Sequence, residues 1–252
     1  MEIPSNKIDI DLNIYESILR GGIASDLTAL QITYDAISHP DYNNRQYVLK
    51  QGFTTSVISV PPIDFLQQRE INKCFKSIIG SLQDYMDNLI AILRLKSEKI
   101  IPTPNITMDE IRKLLQQKFE GHLLDVSTNR SLNVPKKLEI LLDNPEHQVC
   151  KDSVKSYFEI RNGLEHHKGI AKTNRVIRYK RFGLASTAGY EVIELGPLGV
   201  GEGLVLKTFD EEIAYDKGGV LLITRSQLDG IVLNLLILII PTPDTKAEKN
   251  TT

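Results

Sequence analysis

Apolar residues recur at steps of three and four through Ile71, Phe75, Ile78, Leu82, Tyr85 and Met86, Leu89, Ile92 and Leu93. That spacing predicts a long amphipathic helix over residues 64–96. Asp64 and Gln67, just after the Pro61-Pro62 break, suit a capping box at its start. A second helix is predicted through Ile111, Leu114, Leu115, Phe119 and Leu123, with Thr107 as its cap. A short helix at 136–142 follows, then one over 146–168 that stops at Gly169. Ser226 is placed to cap a last helix running to Pro241, whose apolar stretch 231–240 is interrupted by Asn234.

Two stretches read differently. Residues 10–38 carry helical spacing broken by Gly21-Gly22, and FTTSVISV (53–60) alternates as a short strand. Between 175 and 224 the runs RVIRYKRFGLAS, YEVIEL, GLVLKTF and GGVLLIT are β-type and separated by Gly and Pro. The expected fold is therefore mainly α, with a small β insertion at about 172–224 between the last two helices. Residues 1–62 read as an N-terminal extension, 63–241 as the main domain, and 242–252 as a frayed tail.

Lys+Arg 30 against Asp+Glu 32 in 252 residues, with 41% hydrophobic and 25% charged, are ordinary globular values. They exclude a collagen-like chain, a fully disordered one and a basic nucleic-acid coat. Two cysteines, Cys74 and Cys150, cannot build a disulfide scaffold or a four-thiolate zinc site, and both fall on apolar stripes. No signal peptide is visible, and the 231–240 run is half the length a membrane span needs. A cytoplasmic chain without a membrane segment is the expectation.

One helix carries chemistry. Residues 146–168 read EHQVCKDSVKSYFEIRNGLEHHK. At 100° per residue Cys150, Val154, Tyr157 and Leu164 form an apolar stripe, with Phe158 on its flank. Arg161 falls inside that stripe and needs a partner or a polar cleft, because an unpaired buried charge costs several kcal/mol. Asn162 and His166 are four apart and share another face. A guanidinium grips phosphate oxygens bidentately, and an imidazole moves protons near neutral pH. The three together suit acid–base cleavage of a phosphodiester. On a regular helix Arg161 and His166 stand about 140° apart. Focusing both on one phosphate requires the last turn to unwind near Gly169, or two copies to pair about a two-fold axis. A purely structural reading is also open: Arg161 bridges an acid on the 64–96 helix, and the histidines complement the helix dipole.

Arg161-Asn162-Gly163-Leu164-Glu165-His166, within FEIRNGLEHHKGIA, resembles the signature of the HEPN family. In that signature an Arg, usually followed by a polar residue, precedes a His by four to six intervening positions. The resemblance covers about 64–170 and 225–241. It implies a HEPN-like helical bundle, usually dimeric, in which motif helices of two protomers line one cleft. It implies a metal-independent RNA endonuclease without cofactor, often a toxin or antiviral defence effector. Carried onto this chain, His166 is general acid or base at the 2′-hydroxyl, Arg161 stabilises the phosphorane and Asn162 positions the phosphate or the imidazole. The expected product is a 2′,3′-cyclic phosphate. His167 also fits the spacing and is the alternative. The implied partners are RNA, a second copy of the chain and a neutralising antitoxin protein. Other members of the family bind RNA, a nucleotide or a protein without cleaving.

Downstream lie Lys168, Lys172, Arg175, Arg178, Lys180 and Arg181 with no acid between them. They suit an RNA-binding track or, equally, a solvated hairpin with basic edge residues. The glycine-rich stretch from Gly196 to Gly203 lacks the Lys-Ser/Thr of a phosphate loop and reads as a hairpin loop. Glu165, His166, His167 and His147 have no HExxH spacing, so no metal site is expected.

Overall fold

A computed structural model describes residues 13–39, 47–51, 54–58, 62–98, 107–141, 148–187 and 203–236. Its axis is α2 (Ile63–Ser97), 35 residues and roughly 50 Å long. Phe75, Ile78, Ile79, Leu82 and Met86 are buried along it, as the three-and-four spacing requires. The other helices are α1 (Asn13–Ser38), α3 (Met108–Thr128), α4 (Val134–Leu141), α5 (Gln148–His166) and α6 (Arg225–Asn234). All of them except α2 itself pack directly against α2. The described part is thus mainly helical, with two small antiparallel ribbons. One pairs β1 (Tyr47–Gln51) with β2 (Thr54–Ile58). The other pairs β3 (Arg175–Ser186) with β4 (Leu204–Tyr215), between α5 and α6 as expected.

Several boundaries differ from the sequence reading for local reasons. α1 runs unbroken through Gly21-Gly22. Leu19, Ile23 and Leu30 anchor it in the common core, and that burial outweighs the roughly 1 kcal/mol each helical glycine costs. The segment read as an extension therefore supplies core. Pro62, not Asp64, is the N-cap of α2, with no side-chain cap bond. Asp64 sits in the first turn, where its charge complements the helix dipole. Thr107 does cap α3, in a capping box with Glu110. At α6 the capping box is Thr224 with Gln227, two residues before the expected Ser226. The YEVIEL run, the Gly196–Gly203 loop except Gly203, and residues 237–241 lie outside the described residues.

The β3–β4 ribbon pairs Arg175 with Tyr215 through Ser186 with Leu204. Ile177, Tyr179 and Ala185 are buried, which fits the two-residue repeat of a strand. Tyr179 lies against Gly230 of α6, where an added Cβ would stand 3.0 Å from the ring. Asn234, which interrupted the terminal apolar run, is buried and donates to the Tyr157 hydroxyl at 2.8 Å. One core cluster joins α1, α2, α4, α5, α6 and the ribbon. Among the described residues no helix is long and apolar enough to cross a membrane.

Candidate functional site at the end of α5

Val154, Tyr157, Phe158 and Ile160 are buried on α5, fixing the inner face of the motif helix. The side chain of Cys150 lies outside the described residues, whereas Cys74 is buried and free. Burial also pushes the Cys74 thiol up to about 11, which suits a core residue.

Arg161 is partly covered, with 24% of its side chain exposed. Its Nη1 donates to Gln83 Oε1 of α2 at 3.2 Å, and its Nη2 lies 3.4 Å from Glu165 Oε1 one turn on. The partner on the long helix is therefore an amide and not an acid. The Nε atom is buried with no hydrogen-bond partner. A buried guanidinium donor left unpaired is costly and marks the group as incompletely served by its own chain.

His166, the last residue of α5, is 68% exposed, with Nε2 3.9 Å from Glu165 Oε2. Asn162 is exposed as well. The helix remains regular through His166, and only Lys168 (φ 55) and Gly169 (φ 73) turn left-handed. Gly163 carbonyl then accepts from both His167 and Gly169 N–H, closing the helix end. Within one chain Arg161 and His166 meet only through Glu165, whose two carboxylate oxygens lie 3.4 Å from Arg161 Nη2 and 3.9 Å from His166 Nε2.

Asn162 and His167 are associated differently. Both line a concavity of about 210 Å³ with Glu159, Lys172 and Arg175 on its rim and Leu221 in its wall. Leu221 is pressed onto α5 at Gly163, where an added Cβ would stand 2.4 Å from its Cδ1. The glycine inside the RNGLEH motif is therefore a packing requirement: it admits the 220–222 segment against the helix.

The basic run does not form one continuous cationic track. Arg175 pairs with Glu159, Arg178 with Glu212 at 2.7 Å, and Arg181 with Glu211. Tyr179 also donates to Glu211 at 2.5 Å. Arg181, followed by Tyr179, holds the Glu211 carboxyl below its ordinary range. Lys180 stands opposite Asp210 in the ladder, although its side chain lies outside the described residues. The acids Asp210, Glu211 and Glu212 come from β4, so they are invisible when β3 is read alone. Lys168 and Lys172, before the ribbon, have no ion-pair partner among the described residues. Gln83 had no signal in the sequence; the acidic triplet did, once the hairpin register is drawn.

Among the described residues no three His, Cys, Asp or Glu side chains gather as a metal-holding group. His147 lies outside them. No protein-family model, no curated protein and no solved structure matches this chain.

Proposed function

We propose that the chain is a metal-independent RNA endonuclease of HEPN-like type, acting as a homodimer at the C-terminal end of α5. The observation that carries this is the state of the motif itself. Arg161 is held by Gln83 and Glu165 with a buried Nε unpaired, and an exposed His166 stands five residues on. A positioned cation and an accessible imidazole are the two groups that phosphodiester cleavage needs, and a second copy can bring one to the other. In this reading His166 of one protomer moves the proton of the 2′-hydroxyl, and Arg161 of the other stabilises the phosphorane. Asn162 orients the phosphate.

Mixing variants tests the shared site directly. Arg161→Ala and His166→Ala are each expected to be inactive alone. Mixed in equal amounts and allowed to exchange, half the dimers are heterodimers with one intact site of two, so activity returns to roughly a quarter of wild type. No recovery from subunits shown to exchange, or a strict monomer in sedimentation at about 10 µM, would overturn the composite site.

The ion pairs on the ribbon lead to a separate expectation. The charge-neutral double variant Arg178→Ala with Glu212→Ala should leave the salt dependence of RNA binding unchanged, since the pair is removed without altering the net charge of the ribbon. Lys172→Glu should flatten the slope by about 0.7 per lost phosphate contact with single-stranded RNA. A flattened slope in that double variant would restore the ribbon to the RNA track.

A second reading is a dimeric module that binds RNA, a nucleotide or a protein without cleaving. It is favoured by the partners Arg161 already has within its own chain. Cleavage of RNA by wild-type protein in EDTA belongs to the first reading alone.

A further inference from the structure

A second concavity lies on the other side of the α5 end, between α2 and the 220–222 segment. Its volume is about 530 Å³, within the range of small-molecule sites. Two kinds of residue line it. Phe65, Val220 and Leu222 supply apolar surface and are 62%, 59% and 48% exposed. Arg69, Lys73 and Lys76 line it from α2 and Lys168 from the end of α5.

Phe65, Arg69, Lys73 and Lys76 stand at i, i+4, i+8 and i+11, one face of α2 running roughly 16 Å along the axis. Glu70, the most covered of the three side chains, is 3.8 Å from Arg69 and 3.6 Å from Lys73. Neither Lys76 nor Lys168 is ion-paired among the described residues. Lys168 belongs to the turn that closes α5. Its φ of 55 is a left-handed conformation that a non-glycine residue rarely adopts. The residue held in that conformation is a groove-lining cation.

An exposed aromatic ring with a row of cations beside it is the surface that takes a planar, anionic ligand. We infer that this groove binds nucleotides, with a base against Phe65 and phosphates on Lys73, Lys76 and Lys168. The cation spacing along α2 is of the order of successive phosphates on an extended strand. The same chemistry comes from two sources: nucleotide units of a single-stranded RNA, or a free nucleotide. The RNA source rests on the proposed ribonuclease reading, since Leu164 and Lys168 join the groove to the motif helix; the free nucleotide does not.

The test is equilibrium binding of the full chain to a fluorescent single-stranded hexaribonucleotide and, separately, to ATP. Phe65→Ala is expected to weaken whichever probe binds by about fivefold or more. Lys73→Glu with Lys76→Glu should weaken it further and flatten the salt slope by about 1.4 for the hexamer. Lys113→Glu, an exposed charge change on α3, should do neither. Circular dichroism of each variant separates lost binding from lost folding. Hexamer binding without ATP binding assigns the groove to an RNA strand, and ATP binding that competes with the hexamer assigns it to a free nucleotide. Binding by a wild-type chain that cleaves no RNA keeps the groove and removes the ribonuclease reading. If neither probe binds, or Phe65→Ala and the double charge reversal bind as well as Lys113→Glu does, the inference is overturned even where cleavage is observed.

Discussion

His166→Ala is expected to abolish RNA cleavage measured in EDTA, and Arg161→Ala to match it, while His167→Ala keeps most of the activity. General acid–base participation is typically worth ~10²–10⁴-fold, so its loss is plain on a gel. Loss of a preorganised donor to the phosphorane is on the order of 3 kcal/mol, or about a hundredfold or more. The choice between the histidines is geometric. A group that completes a site on a second protomer must be accessible on its own, and the His166 side chain is 68% exposed. His167 instead lines the small concavity with Asn162, Lys172 and Arg175. Should His167→Ala be the inactive variant, the reacting site moves into that concavity and requires no partner chain. Should folded wild-type protein cleave no RNA, the binding reading takes its place.

How much of this was legible depends on the distance over which each feature is decided. The long helix α2 was readable because about six turns of regular spacing leave no other way to bury its apolar face. α1 was not, since its continuity through Gly21-Gly22 is decided by Leu19 and Ile23 packing in the common core. The α6 cap was misplaced by two residues because Thr224 and Ser226 are both competent caps, and only Thr224 has a Gln three residues on to complete the box. That Arg161 needs a partner followed from the wheel alone. That the partner is Gln83 did not, because the two are 78 residues apart and an amide carries no charge to mark it. The neutralised basic run lies between these cases. Arg178 and Glu212 are 34 residues apart, and only the ladder register makes them neighbours.

Removing the carboxylate of Asp87 is expected to destabilise the fold by about 3–5 kcal/mol. Asp87 of α2 and Lys137 of α4 are each 4% exposed and meet at 2.5 Å. Asp87→Ala would leave an ammonium buried without its counter-charge, which is the costly half of a broken pair. For a chain of this size each kcal/mol lowers Tm by about 2–4 °C, so thermal unfolding should fall by roughly 6–20 °C. The double variant Asp87→Leu with Lys137→Met should recover most of that loss. The reason lies in the direction of the Asp87 titration: burial raises its pKa above the ordinary value even against the hydrogen bond from Lys137. Desolvation therefore outweighs what the lysine returns, and apolar side chains of similar size face no such penalty. A double variant no more stable than Asp87→Ala would show that the pair contributes more than it costs. An Asp87→Ala variant within about 1 kcal/mol of wild type would show that Lys137 reaches solvent once released, and that α4 is held on α2 by Leu138 and its apolar neighbours instead.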